Sequence, residues 1–295
     1  MKYAFFPGCA LASTARPYGM STKEVTRVLG MNMPELADWN CCGASVFQSL
    51  DELSYLSLSG RNLALAEKNG AHDMVTPCSG CFSALGKASD NLARYPDQRE
   101  LVDEALSEAG LTYSGDVRVR HLLDVLVGDV GLDAVRAKVT QPLTGLRVVC
   151  YYGCLLTRPP AVTGADHPEN PVTMDRLVEA LGAETLDWSH KTECCGASFS
   201  LARPELVTKL TSRILDSARE VGAEMVVTAC PLCQTNLDMN REEGSGVPLP
   251  IVYFTQLMGQ AFGLSSETLG LDKHFSDPVP ALCRYGLTTQ ASSRV

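Results

Sequence analysis

The sequence predicts an α/β fold made of two homologous Cys-Cys-Gly modules, each with mainly parallel strands, flanking helices and cysteine-bearing loops at the strand carboxyl ends. Three observations predict it. First, the stretch CCGAS at Cys41–Ser45 returns at Cys194–Ser198, about half the chain away. Second, each copy has the same cysteine neighbours. FFPGC (Cys9), CCG (Cys41, Cys42) and TPCSGC (Cys78, Cys81) in the first half match YYGC (Cys154), CCG (Cys194, Cys195) and ACPLC (Cys230, Cys233) in the second. The steps from lone cysteine to pair are 32 and 40 residues, and those from the pair to the CxxC are 36 and 35. Third, short apolar runs alternate with stretches of helical periodicity, the order expected of strands joined by helices.

Ten of twelve cysteines fall in the doubled pattern, and only Cys150 and Cys283 are left over. An internal duplication follows, with halves of about 1–145 and 146–295. Along the first half, KYAFFPGC is a short apolar run ended by Pro-Gly, a buried strand. STKEVTRVLGM opens with a capping pattern, Ser21 or Thr22 followed by Glu24, and continues with helical spacing. SLDELSYLSLSGRNLALAEKNG is a helix closed by Gly70. In the second half Leu206, Leu210, Ile214 and Ala218 step by four along one helix face, closed by Gly222. DMVTPC and EMVVTAC are buried strands, and CFSALGKASDNL and CQTNLDMN start helices. The lone cysteines and the CxxC pairs thus sit at strand carboxyl ends, where open α/β folds gather ligands. The Cys-Cys-Gly is expected to open a helix. Gly43 and Gly196, lacking side chains, are expected to let the backbone approach a bulky group.

Composition narrows the function classes. At 295 residues with a net charge of −9, the chain has little electrostatic support for binding nucleic acid. No run of 18 apolar residues is present, so no membrane span is expected. The start MKYAFFPGCALASTARP has the outline of a signal peptide, but Pro7, Gly8 and Cys9 interrupt it, and cleavage would remove a cysteine of the repeat. A cytoplasmic, reducing compartment is the expectation, and there twelve cysteines point to metal or redox chemistry before disulfides.

Burial alone explains Cys150 and Cys283, since free cysteine is a small core residue. It does not explain cysteines at matching places in both halves. Structural zinc closes with four ligands and leaves one thiolate over per half. A dithiol exchange site at a helix N-terminus uses the CxxC but not the other three. An iron–sulfur cluster accounts for the pattern best, because its irons are spread apart and take soft thiolates. Five ligands exceed the four of an ordinary cubane. The spacing points to an unusual cluster without establishing one.

These residues resemble a known family. FPGC, NCCG, TPCSGC, YGCLLTRP, DHPENP, ECCGAS, ACPLCQTNLD and YFTQLMGQAFG are similar, over almost the whole chain, to the heterodisulfide reductase B-type polypeptide and its duplicated cysteine-rich CCG domain. The resemblance implies two noncubane 4Fe-4S clusters, one on Cys9, Cys41, Cys42, Cys78 and Cys81, the other on Cys154, Cys194, Cys195, Cys230 and Cys233. It implies a disulfide oxidoreductase in which the disulfide lies between the clusters and each sulfur takes one electron. It also implies partners: a C-type subunit with cubane 4Fe-4S clusters and a flavin-containing A-type subunit. The disulfide would be a small-molecule heterodisulfide, such as that of coenzyme M and coenzyme B, or a protein-bound lipoate. The alternative is a non-catalytic electron-relay iron–sulfur subunit of a larger oxidoreductase, and a zinc-stabilised interaction module is the third.

Four further residues are candidates for substrate contact or proton delivery. Arg16 and Arg158 follow the lone cysteines and carry charge for an anionic ligand. His190 and Lys191 precede the second pair and can supply a proton to a leaving thiolate. Each also has an ordinary structural or surface reading. DHPENP reads as a turn-rich loop whose acids cap a helix.

Overall fold

The computed structural model describes residues 3–44, 47–239 and 248–287. The polar centre of LDMNREEGSGVPLP and the tail TTQASSRV, expected to be a mobile loop and a disordered or partner-bound end, lie outside these residues.

Two parallel sheets carry the fold. The first has the order β1–β2–β3, with β1 Tyr3–Phe5, β2 Asp73–Thr76 and β3 Arg118–His121. The second has the order β5–β4–β6–β7, with β4 Arg147–Tyr151, β5 Glu184–Thr185, β6 Met225–Thr228 and β7 Ile251–Tyr253. Phe5 pairs with Val75 and Val75 with Arg120; Cys150 pairs with Val227 and Val227 with Val252. β2 and β6, the strands that lead into the CxxC loops, are buried along their whole length. That suits runs of Met and Val between two neighbours.

The helices follow the apolar periodicity, with two corrections. The helix expected from Ser21 or Thr22 runs Arg16–Val28. Pro17 occupies the first turn, where its missing N–H costs nothing. Ser21 is interior and buried, bonding the Pro17 carbonyl at 2.9 Å and Thr255 Oγ1 at 2.7 Å. The second correction concerns the Cys-Cys-Gly, whose cysteines lie in a loop: it opens no α-helix, and Gly196 is the N-cap of a 3₁₀ turn only. Helices begin beyond it, at Phe47 and Glu52 in the first half and at Pro204 in the second, where a 3₁₀ turn Ala197–Phe199 intervenes. Asp51 caps Glu52–Lys68, and Gly70 and Gly222 follow the helix ends with φ of +67° and +79°.

Alternate strand residues face two different cores. Val75, Val148, Cys150, Val227 and Val252 join a core shared by both halves, together with Tyr18, Val25, Leu177, Val178, Leu257 and Met258 from helices. Met74 faces a second core with Cys42, Cys78 and Cys81. Val149, Tyr151 and Val226 face a third with Cys195, Cys230 and Cys233. The period of two thus puts the shared apolar layer on one side of each sheet and the cysteine side on the other.

Candidate functional site

All twelve cysteines are free thiols, and the ten repeated ones are brought together in two groups of five. Cys9 lies four residues past β1 and Cys154 three past β4. Cys78 is the N-cap of the helix Ser79–Arg94, and Cys81 sits in its first turn. Cys230 immediately precedes the helix Pro231–Met239, which carries Cys233. The expected placement at strand carboxyl ends therefore holds for six sulfurs, and the loops return Cys41, Cys42, Cys194 and Cys195 to them. Cys42 Sγ lies 3.3 Å from Cys81 Sγ, Cys195 Sγ 3.5 Å from Cys233 Sγ, and Cys154 Sγ 3.8 Å from Cys194 Sγ. Cys9 and Cys41 lie near enough to shift each other's protonation, as do Cys78 and Cys230, so the two groups adjoin.

Exposure repeats between the halves. Cys42, Cys78, Cys81, Cys195, Cys230 and Cys233 are buried, Cys9, Cys41 and Cys194 exposed, and Cys154 half-buried. Each group has an inner trio and an outer pair. Crowded thiols share protons unequally. Hydrogen bonds from Cys42 and then Cys9 pull Cys41 down. The Cys154 thiol, helped by the Gly196 N–H, holds Cys194 down at about 6. Cys233, Cys78 and the backbone N–H groups of the helix start lower Cys230. Thiolates so favoured are the ligand form of cysteine. Among the described residues, no trio of His, Cys, Asp or Glu side chains is arranged to close on a single metal ion.

The loops are held by polar anchors. In the first half, Asn62 Nδ2 donates to the Asn40 carbonyl at 3.0 Å and Ser59 Oγ to the Cys42 carbonyl at 2.8 Å. In the second half, Asn236 Nδ2 donates to the Cys195 carbonyl at 3.1 Å and Tyr151 OH to the Glu193 carbonyl at 2.7 Å. Between the halves, Tyr18 OH donates to the carbonyls of Pro77 (2.8 Å) and Ala229 (3.3 Å), the residues just before Cys78 and Cys230. His121 Nε2 lies 2.9 Å from the Pro77 carbonyl, and Tyr18 stacks on Tyr253 at 4.0 Å. Sequence reasoning missed Tyr18, His121 and Tyr253; a hydroxyl or ring in an apolar run gives no sign of what it will face.

Glycines shape the cradle, though not as expected. Gly43 and Gly196 take φ of +76° and +77°. A Cβ would make only ordinary contact with Tyr55 at Gly43 but would crowd Leu210 at Gly196, so it is the left-handed turn backbone, not a bulky group, that calls for glycine at both. The glycines that face sulfur are Gly8 and Gly153, each one residue before a lone cysteine. A Cβ would come within 2.7 Å of Cys81 Sγ and 3.0 Å of Cys233 Sγ.

A cavity of about 180 Å³ opens on the second group. All five of its cysteines line it, and Ala44, Ser79, Gly80 and Ser83 of the first half close the other side. A larger cavity, about 400 Å³, lies between Phe5, Thr22 and Trp39 and has no cysteine in its wall. Arg16, Arg158, His190 and Lys191 do not line the sulfur cavity. Arg16 is exposed at the start of its helix. Arg158 pairs with Glu169 of DHPENP at 2.6 Å and donates to Thr192 Oγ1 at 3.0 Å, tying that loop to the Cys-Cys-Gly loop. Asp166 and His167 hold the DHPENP loop through its own backbone N–H groups. Lys191 is buried on Asp175 (3.0 Å) and the Pro171 carbonyl, and its own carbonyl accepts from Tyr152 and Gly153. His190 stacks on Trp188 and contacts Ser189 Oγ. Cys150 is fully buried in the shared core, and Cys283 is half-buried at the end of the short helix Val279–Cys283.

The profile of the CCG family, described as a cysteine-rich domain, matches residues 3–86 and 148–238. The chain belongs to this family. Both matches span a lone cysteine, a Cys-Cys-Gly and a CxxC. The chain is 34% identical to the "8-methylmenaquinol:fumarate reductase membrane anchor subunit" of Wolinella succinogenes, over 94% of this chain and 97% of that one. It is 31% identical to the B-type polypeptide of the ferredoxin/F420H2-dependent CoB-CoM heterodisulfide reductase of Methanosarcina acetivorans, over 92% and 93%. It is 28% identical to a heterodisulfide reductase B-like protein of Archaeoglobus profundus, over 90% and 92%. A hypothetical protein from Helicobacter pylori shares the fold, with a TM-score of 0.73 at 14% identity over 93% of this chain and 52% of that one. No helix among the described residues is long and apolar enough to cross a membrane.

The residues present in the CCG chain fit an iron–sulfur group on three counts. The donors are soft thiols in two sets of five. Gly8 and Gly153 let the Cys81 and Cys233 sulfurs sit close against the backbone. The hydroxyl of Ser83, at the sulfur cavity, is buried without a partner.

Proposed function

We propose that the chain is the catalytic iron–sulfur subunit of a heterodisulfide reductase-like complex, cleaving or forming a disulfide between two noncubane 4Fe-4S clusters. Module 1–145 holds one on Cys9, Cys41, Cys42, Cys78 and Cys81. Module 146–295 holds the other on Cys154, Cys194, Cys195, Cys230 and Cys233. The observation that carries this reading is the pair of thiol quintets meeting at Cys78 and Cys230 beside a cavity walled by both halves.

When bound, the two clusters supply one electron each, which matches the two electrons a disulfide needs. The chain's own residues do the rest. The helix start at Cys230 favours thiolate over thiol there. Tyr18 holds the two helix entries together through Pro77 and Ala229. Burial keeps water from the inner trio of each quintet. The exposed outer edge of each quintet leaves the site open to a disulfide, either a small-molecule heterodisulfide or a protein-bound lipoate. A C-type subunit with cubane clusters and a flavin-containing A-type subunit complete the electron path. The cytoplasm, where thiols stay reduced, is the compartment that suits this chemistry.

Two measurements test it. Anaerobically purified chain should carry about eight irons and matching acid-labile sulfide, the content of two four-iron clusters; zinc with little iron would refute the reading. Mixed with a heterodisulfide and a one-electron donor, it should release thiols and develop a substrate-dependent paramagnetic signal.

A second reading is supported by the relative of 34% identity named as a fumarate reductase membrane anchor subunit. In that reading the chain relays electrons from a quinol to a partner dehydrogenase and binds no disulfide. Iron-loaded chain that is oxidised by its partner complex but releases no thiol from any disulfide would favour the relay.

A further inference from the structure

Ser83 lies in the helix Ser79–Arg94 of the first half, one turn after Ser79 and on the same side. Ser79 Oγ donates to the Ala229 carbonyl of the second half at 3.1 Å. Ser83 Oγ points into the same junction but finds nothing: it is 2% exposed and has no hydrogen-bond partner. A helical serine usually bonds the carbonyl one turn back, and leaving a buried hydroxyl unpaired costs about 1–3 kcal/mol. The cavity that Ser83 lines is bounded by Cys154, Cys194, Cys195, Cys230 and Cys233. The other buried hydroxyls in its wall are engaged, Ser79 on Ala229 and Tyr152 on Asp175. The position matching Ser83 after the second CxxC is Thr235, which is half-buried and so not under the same demand.

We propose that the Ser83 hydroxyl donates a hydrogen bond to a sulfur of the iron–sulfur centre held by the second quintet, and that this raises the centre's reduction potential relative to its twin. The inference rests on the iron–sulfur reading above. A donor aimed at cluster sulfur stabilises the more negative, reduced state, one of the recognised means of setting cluster potential. The first half supplies the hydroxyl and the second half the sulfurs. The duplicated chain therefore has two chemically unequal centres, and the second takes its electron first.

The test uses the full-length, anaerobically loaded chain without substrate. Wild type, Ser83→Ala and Ser83→Thr are titrated against potential with paramagnetic detection, and iron and sulfide are counted. In Ser83→Ala one centre should become about tenfold harder to reduce, a fall of about 59 mV for one electron. The other centre should keep its potential, and the iron content should be unchanged. Ser83→Thr should restore the wild-type value. In wild type, electron–nuclear double resonance should show an exchangeable proton coupled to one centre, lost in Ser83→Ala. Unchanged potentials, or equal shifts of both centres, would overturn the inference and leave the iron–sulfur reading intact. So would the absence of that proton in wild type, whatever the variant does. A wild-type chain without iron would overturn both.

Discussion

Gly8 and Gly153 show how much a single missing side chain decides at this site. Both have positive φ, +70° and +68°, and both leave only enough room for a neighbouring sulfur. In Gly153→Ala the left-handed backbone costs about 1–2 kcal/mol, and the new methyl, 3.0 Å from Cys233 Sγ, displaces that sulfur. The expected outcome is loss of about half the iron, measured against protein by chemical analysis, with the first half still loaded. Gly164→Ala is the control. Its φ is +63° and nothing lies within 4 Å of the added methyl, so it should carry the same backbone cost and keep its iron. The cysteines themselves were legible in the sequence because ten of them repeat. The spacing of FFPGC and YYGC puts a glycine before each lone cysteine, but only the folded chain brings Cys81 and Cys233 against them. Arg158 and Lys191 also became interpretable only there, as ties between loops with Glu169, Thr192 and Asp175 as partners.

At the scale of elements, the strands β2 and β6 and the helices that follow them were readable, since each has a short Met-Val core followed by Thr and then a CxxC. β3, β5 and β7 were not. RVRH has three polar residues in four, and the other two have two and three residues. Their partners, not their own pattern, make them strands. The segment after β3, Leu122–Val125, carries a half-buried carboxylate with a pH consequence. Burial pushes Asp124 up from 3.8 to about 6. A raised acid leaves stability complete below the unfolded value and loses it as pH rises through the folded one. The chain should therefore lose stability between about pH 4 and pH 6, on the order of 2 kcal/mol once solvent screening is allowed for. Asp124→Asn should remove that decline, giving equal urea midpoints near pH 4 and a higher one than wild type at pH 7. A constant difference across the range would disprove the assignment.

At the scale of the molecule, the two halves are halves of one core. Val75 and Tyr18 from the first and Val148, Val227 and Leu257 from the second belong to a single buried cluster. Each half alone would expose that surface to water, at about 25 cal/mol for every Å² uncovered. Residues 1–145 and 146–295 produced separately should aggregate or bind the hydrophobic dye ANS. Produced together, they should associate and elute as one species on size exclusion. Two separately soluble, iron-loaded halves would contradict the shared core.

The sequence by itself determined the duplication, the parallel α/β class and the identity of the ten cysteines, because spacing and apolar period are properties of the chain read in order. Only the tertiary structure decided which half faces which. It set Cys78 against Cys230, brought Tyr18 to the Pro77 and Ala229 carbonyls, and left Ser83 of one half facing the sulfurs of the other. The reason is that contacts between residues 59 to 211 positions apart are fixed by how two buried layers pack, and no local pattern encodes that packing.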